Sequence, residues 1–302
     1  EIARGGIGTI HQVTDGNIGR DVAMKVLRGE KGSAGQKVIR FIEEAQVTGQ
    51  LDHPNIVPVH EIGINAEGQP FFTMKLVQGR SLQEILDGIR LGTVDLISKY
   101  SLTELLNVFL KVCDAVAFAH ARGVIHRDLK PANIMVGAFG EVLVMDWGLA
   151  KVLGQGDKEE ETGRQGDGET NAVHSLRSDQ ALGETGEGKI QGTLAYMPPE
   201  QAEGRREAMG PHSDVYSLGA ILYQILCLDP PIQGDTFDKA LENIKAGLIL
   251  LPERRNILRR DIPPELSAVT MKALSREISG RYNNVDALAQ DVRLFLEGRA
   301  VS

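Results

Sequence analysis

The densest chemistry in the chain lies in Val124-Ile125-His126-Arg127-Asp128-Leu129-Lys130-Pro131-Ala132-Asn133-Ile134. Two cations, an aspartate and an asparagine sit between two apolar, strand-like runs. Such density just after an apolar helix fits a loop that handles anions and a metal. Asp146-Trp147-Gly148 follows across a hairpin. Asn133 and Asp146 can therefore offer oxygen ligands to one Mg²⁺, which takes oxygen donors and keeps several waters. Upstream, the stretch from Ile2 to Ile10 is rich in glycine. Glycine lets a backbone approach phosphates closely and aim N–H groups at them. The same stretch also reads as a plain hairpin turn. A dinucleotide fingerprint needs a helix after its glycines, and here a second strand follows. A Walker loop fails too, since Gly188-Lys189 is followed by Ile190 rather than Ser or Thr.

Val22-Ala23-Met24-Lys25 places a lysine on an apolar strand after that hairpin. A buried ammonium needs a carboxylate or an anionic ligand. Glu43 and Glu44, on the next helix, are the available carboxylates. A surface lysine on an edge strand is the alternative.

The elements that must position these groups are legible in outline. Ile10 to Val13 and Asp21 to Leu27 flank Thr14-Asp15-Gly16-Asn17, a turn composition, and predict a hairpin. Ser33 to Leu51 has apolar residues at helical spacing and stops at His53-Pro54-Asn55. Ile56 to Ile62 and Phe71 to Val77 read as two more strands. From Gln78 the pattern turns helical. Leu102 to Arg122 is a long helix ended by Gly123. Ile134 to Val136 and Val142 to Met145 form a short hairpin. Asp214 to Leu228, Phe237 to Ala246, Glu265 to Ser275 and Val285 to Leu296 are further helices. Lys151 to Gln191 has no aromatic residue and is rich in Gly, Glu, Asp and Gln. It cannot bury enough apolar area to offset ordering, so it reads as a mobile loop.

Composition sets the frame. The chain has 302 residues, 42% hydrophobic and 25% charged, which is ordinary globular usage. Single cores stop growing near ~250–300 residues, so two lobes are expected. With 33 Lys+Arg against 41 Asp+Glu the net charge is −8, which argues against a nucleic-acid partner. Cys113 and Cys227 lie in apolar helical runs and read as buried free thiols, suited to a reducing compartment. The longest apolar run, near Leu218 to Leu228, falls short of the ~20 residues of a membrane span. The chain opens on Glu1 with no signal-like segment and reads as an excerpt of a longer protein.

Taken in order, the glycine loop, Val22-Ala23-Met24-Lys25, the stretch from His126 to Asn133, Asp146-Trp147-Gly148, Gly192 to Glu200 and Asp214 to Gly219 give the chain a specific likeness. It resembles the eukaryotic-like (Hanks-type) Ser/Thr protein kinases, in wording closest to bacterial members. The resemblance covers essentially the whole chain. It implies an α+β, bilobal fold, with a small antiparallel β-sheet N-lobe carrying one helix over 1–76 and a larger α-helical C-lobe over 77–302. Residues 151–191 would form a long activation loop.

The same resemblance implies site residues. Gly5 and Gly8 match loop glycines over the phosphates of ATP, and Ala3 stands where the first glycine usually is. Ile10, Ala23, Met74, Lys75 and Val77 match the adenine and hinge positions, with Met74 as gatekeeper. Lys25 matches the phosphate lysine. Glu44 best matches its partner, with Glu43 one residue off. Asp128 matches the catalytic base, Lys130 the group that neutralises the transferred phosphoryl, and Asn133 and Asp146 the Mg²⁺ ligands. His126, Arg127, Trp147, Gly148, Thr193, Glu200, Asp214 and Arg281 match structural or docking positions. Among them Glu200 is expected to pair with Arg281, and Asp214 to anchor the catalytic loop. Thr193 is expected to contact Asp128 and Lys130, with phosphorylation as its alternative role.

Two departures stand out. Trp147 replaces the usual Phe, and Thr48 stands where a large apolar residue is common. The larger indole is expected to fill the volume that Thr48 leaves. Arg127 before the catalytic aspartate goes, in the family, with activation-loop phosphorylation, and Thr162, Thr170, Ser175, Ser178 and Thr185 are candidates. An unphosphorylated acidic linker is the other reading of that loop.

The implied function is an ATP- and Mg²⁺-dependent serine/threonine protein kinase, acting on protein hydroxyls and on itself by autophosphorylation. A scaffold of the same fold and a small-molecule phosphotransferase are the competing readings. The presence of Lys25, Asp128, Asn133 and Asp146 together speaks against the scaffold. A cytoplasmic site, no membrane segment in this excerpt and an open question over dimerisation complete the expectations.

Overall fold

The computed structural model describes residues 1–4, 8–28, 34–153, 194–255 and 261–301. Strands β1 (Ala3–Arg4), β2 (Gly8–Asp15), β3 (Arg20–Leu27), β4 (Val59–Ile64) and β5 (Pro70–Lys75) form one antiparallel sheet in the order β1-β2-β3-β5-β4. The β2–β3 hairpin is in register from Gly8 opposite Leu27 to Asp15 opposite Arg20. Its turn falls at 16–19, two residues later than the composition suggests. Asp15 Oδ1 accepts the N–H groups of Asn17 and Ile18, and Gly19 takes φ 72°. The aspartate thus organises the turn after itself.

One helix, α1 (Ala34–Gln50), covers this sheet. Its Phe41 and Ala45 join Ala23, Leu27, Val57, Phe72 and Met74 in a small core, with the Phe41 and Phe72 rings 5.0 Å apart. The strand expected from Ile56 starts only at Val59. Ile56 instead bridges Val144 in parallel, and Val57 N–H donates to Val144 O at 3.3 Å. Val144 N–H donates to Asn55 O at 2.8 Å, and Asn55 Nδ2 donates to Val142 O at 2.9 Å. The backbone groups of this segment are spent on the other lobe, so they cannot extend the sheet.

The larger lobe begins with β6 (Gly79–Ser81), α2 (Leu82–Arg90), α3 (Val94–Lys99) and α4 (Leu102–Ala121). Ser81 and Glu84 cap α2 reciprocally, so both of its first orphan N–H groups are satisfied. Then come β7 (Val124–Ile125), β8 (Ile134–Gly137), β9 (Val142–Val144) and β10 (Lys151–Val152). The helices α5 (Pro199–Ala202), α6 (Pro211–Cys227), α7 (Phe237–Ala246), α8 (Pro264–Ala273) and α9 (Val285–Leu296) complete it. β6, β8 and β9 form a small sheet, and β10 pairs with β7. Every residue from Ser213 to Cys227 is buried, the polar Ser213, Asp214, Ser217 and Gln224 included. α6 is therefore the central post of this lobe, packed by α4, α8 and α9. Each large aliphatic side chain buried there contributes roughly 1.5–3 kcal/mol of transfer free energy.

Cys113 and Cys227 are buried free thiols. Burial pushes the Cys227 thiol up to about 12 and raises Cys113 as well, so neither offers a thiolate near neutral pH. Among the described residues no helix is long and apolar enough to cross a membrane.

Candidate active site

The loop between β7 and β8 hangs on Asp214. This carboxylate, fully buried in the first turn of α6, accepts the N–H of His126 at Oδ2 (2.8 Å) and the N–H of Arg127 at Oδ1 (2.9 Å). His120 Nε2, at the end of α4, donates to Oδ2 at 2.8 Å. Burial opposes the charge on Asp214, but these donors outweigh it and hold the carboxyl below its usual value. Arg127 is held at φ 69°, a left-handed conformation that a non-glycine residue adopts only when its surroundings fix it. Two consecutive N–H groups bound to one carboxylate supply that fixing.

His126 is wholly buried and spans the site from below. Its Nε2–H donates to Met145 O at 3.1 Å, and Nδ1 accepts the Asp128 N–H at 3.2 Å, which sets the Nε2–H tautomer. Its ring packs on Trp147 with centroids 4.5 Å apart. One imidazole thus ties the segment bearing Asp128 to the segment bearing Asp146.

Asp128 faces the cavity's cations. Lys130 Nζ lies 2.9 Å from Asp128 Oδ1 and 2.7 Å from Oδ2, and Asn133 Nδ2 donates to Asp128 O (2.9 Å) and Oδ2 (3.2 Å). Burial raises the Asp128 carboxyl above its ordinary value against the pull of Lys130. Met145 N–H donates to Asn133 O at 2.8 Å, so Asn133 and the residue before Asp146 are stitched together. Asp146 sits at φ 58°, which an aspartate tolerates better than most side chains.

Lys25 on β3 reaches Glu44 of α1, Nζ to Oε1 2.5 Å, with both side chains nearly buried. Burial disfavours the ammonium, but Glu44 and Asp146 together raise its pKa. One ammonium serves two buried carboxylates unequally. Burial also opposes the charge on Asp146, yet Lys25 and Lys130 keep its carboxyl below the usual range. Burial, reinforced by Asp146, pushes Glu44 up to about 7 despite Lys25. Glu44 Oε2 is buried with no hydrogen-bond partner among the described residues. A side chain added at Gly148 would stand 3.1 Å from that Oε2 and 3.3 Å from Asp146 Oδ1, so the glycine leaves room between the two carboxylates.

The sheet above supplies an apolar cluster. Ala23 and Met74 are paired across β3 and β5, both buried, with Ile10, Leu76 and Met145 packed against their cluster. Ala3 is opposite Ile10. Lys75 N–H is bound to Pro58 O at 3.1 Å, and Val77 follows as a half-buried residue outside the strand. At Gly8 any Cβ would stand 2.6 Å from Val26 O, so only glycine lets β2 lie this close on β3.

Glu200 and Arg281 lie apart from these groups, beneath α6. They form a two-pronged buried pair, with Ser213 Oγ also donating to Glu200 at 2.8 Å. Gly5 and Thr193 lie outside the described residues, as do Thr162, Thr170, Ser175, Ser178 and Thr185. Sequence reasoning missed His120 and Asn55. A single histidine on an apolar helix reads as core, and an asparagine after a proline reads as turn.

These residues fit a magnesium nucleotide. Mg²⁺ is usually held by one or two carboxylates plus substrate phosphates rather than by an all-protein cage. Asp146 is kept ionised, and Asn133 spends its N–H on Asp128, which leaves its amide oxygen for a cation. No cluster of three or more His, Cys, Asp or Glu able to hold a metal occurs among the described residues. The apolar side chains of Ala23 and Met74 suit a flat base, and Lys25 suits phosphate.

A family model described as protein kinase domain matches residues 1–292. The chain is 37% identical over 304 residues to a protein named serine/threonine-protein kinase PknD from Protochlamydia amoebophila, covering 99% of this chain and 30% of that protein. It is 34% identical over 300 residues to the protein of the same name from Chlamydia caviae, covering 98% of this chain and 30% of the relative. The corresponding protein of Chlamydia muridarum is 35% identical over 309 residues, covering 99% and 31%. The chain thus spans less than a third of the length of these curated relatives.

Proposed function

Since the chain belongs to the protein kinase family, we propose that it transfers the γ-phosphoryl group of ATP, with Mg²⁺, to serine and threonine hydroxyls of proteins. The observation that carries this reading is the Asp128 carboxylate, clamped by Lys130 and Asn133. Asn133 is stitched to the backbone next to Asp146.

Catalysis of this kind is mostly positioning and electrostatic stabilisation. Asp128 Oδ2 takes donors from both Lys130 and Asn133, whereas Oδ1 takes Lys130 alone. Oδ1 is the oxygen with a lone pair to spare, and it orients the acceptor hydroxyl and receives its proton. Burial lifts the basicity of this carboxylate, which suits the task. Lys130 then faces both the base and the negative charge of the group in transit. Lys25, steadied by Glu44, holds the phosphates from the sheet side. Asn133 and Asp146 hold the metal, which when bound neutralises phosphate charge. The apolar cluster at Ala23 and Met74 takes the base, and backbone groups of Lys75 and Val77 read its edge.

The lobes divide between residues 76 and 77, and 151–191 serve as an activation loop whose phosphorylation pairs with Arg127. The same activity acts on the chain itself, and the domain works where ATP and Mg²⁺ are, in the cytoplasm. The test is phosphosite mapping by mass spectrometry after incubation with ATP and Mg²⁺, beside Asp128→Asn. Phosphate on Ser or Thr in the parent chain and none in the variant is expected. No phosphate in either, on the chain or on a general acceptor protein, would overturn transfer. Failure to bind a nucleotide analogue would overturn the site itself and favour a scaffold.

A further inference from the structure

A groove of about 370 Å³ opens between β6, β8 and α3, lined chiefly by Arg80, Leu96, Lys99, Tyr100, Val136 and Ala138. We propose that it docks an extended segment of a partner protein in which carboxylates alternate with apolar side chains. None of these residues belongs to the transfer site, so the groove is a second recognition surface.

The floor is apolar. Leu96, Tyr100 and Val136 are nearly buried, and Gly79 and Gly137, in register across β6 and β8, add no side chains. The walls are fixed to each other, because Ala138 N–H donates to Gln78 O at 2.9 Å and β6 pairs with β8. The next residue along the hairpin, Phe139, is 93% exposed and carries the apolar surface outward. A space at the low end of the ~300–1,000 Å³ of small-molecule pockets, continued by an aromatic ring in the open, suits a chain longer than the groove.

The rim decides the charge of the occupant. Arg80 and Lys99 are both exposed, and neither makes an ion pair among the described residues. Lys99 Nζ is held 5.3 Å over the Tyr100 ring, which fixes an ammonium above the floor. Asp95 is the one carboxylate among the lining residues. The groove is therefore net positive in a chain whose net charge is −8. Carboxylates of a partner complete Arg80 and Lys99, and its apolar side chains pack on Phe139 at the open end of the floor. For a protein kinase such a site raises the local concentration of an acceptor without touching the reacting groups. That use rests on the function proposed above, whereas the binding itself does not.

The test is fluorescence anisotropy of the full chain, without nucleotide, against two labelled decapeptides, one alternating Leu with Glu and one alternating Leu with Lys. The Glu peptide is expected to bind at least about tenfold tighter. Arg80→Glu with Lys99→Glu should abolish that preference, and Arg80→Gln with Lys99→Gln repeats the test with a milder change. Ala138→Trp, which fills the groove, should weaken the Glu peptide about tenfold. Equal binding of the two peptides, or a preference untouched by the substitutions, overturns the proposal. So does self-association of the chain in sedimentation that the double substitution removes, since the groove would then belong to a second copy. Because no nucleotide is used, this result and the phosphosite mapping fail independently.

Discussion

Arg281 grips Glu200 with both prongs of its guanidinium, Nη1 to Oε1 at 2.9 Å and Nη2 to Oε2 at 2.8 Å, where neither side chain meets solvent. The arginine also donates to the carbonyls of Ser275, His212 and Arg276 and lies 5.0 Å over the Tyr216 ring. One side chain thereby fastens α5, the start of α6 and the loop after α8.

Breaking this pair leaves a buried charge without its counter-ion. Arg281→Met should lower unfolding free energy by ~3–5 kcal/mol. Adding Glu200→Met should recover part of that loss. Urea denaturation of the single and double variants measures both, and strictly additive losses would count against the coupling.

Asp214→Asn keeps the shape but halves the accepting capacity. One of the three donors from His120, His126 and Arg127 loses its acceptor. An orphaned buried donor costs about 1–3 kcal/mol, and Arg127 loses support for its left-handed backbone. Steady-state kinetics should show kcat falling at least about tenfold, and more steeply than KM for ATP rises, since Ala23 and Met74 lie in the other lobe while Asn133 and Asp146 depend on this loop.

Glu44 has a folded-state pKa raised to about 7 by burial and by Asp146. The group therefore favours the folded state below its ordinary value of 4.5, and this stability is lost as pH rises through about 7. Urea midpoints should fall between pH 5 and pH 8 in the parent chain. Glu44→Gln should flatten that slope. An unchanged slope in the variant would assign the effect to another group.

Gly8→Ala should raise the dissociation constant of a nucleotide analogue about tenfold and also lower the melting temperature. The added carbon would stand 2.6 Å from Val26 O and force β2 away from β3, beside the apolar cluster. Isothermal titration measures the first effect and calorimetry the second.

Trp147 is 1% exposed, and its indole N–H is buried without a partner among the described residues, while Thr48 is buried on α1 with Oγ1 donating to Glu44 O at 2.6 Å. Trp147→Phe removes an orphan donor but also volume, and the volume term should win by ~1 kcal/mol. Thr48→Leu in that background should restore stability. Losses that simply add in a double-mutant cycle would show that the two sites do not share a space.

Asp128, Lys130, Asn133 and Asp146 were legible because polar groups of opposite charge rarely crowd between apolar runs without a chemical reason. The order of helices and strands was legible for the usual reason of period. The residues alone left Glu43 and Glu44 open, since both are buried on α1, but the resemblance favoured Glu44 and the structure pairs it with Lys25. His120 escaped because its meaning lies in Asp214, which is remote in sequence and adjacent only after α4 meets α6. The late start of β4 escaped because Val57 is bound by Val144, a long-range contact that no local pattern announces.

The bonds of Asn55, Ile56 and Val57 to β9 make a fulcrum. These bonds join the two lobes a second time, beside the chain crossing that follows β5, so any change of lobe orientation must turn about them or break them.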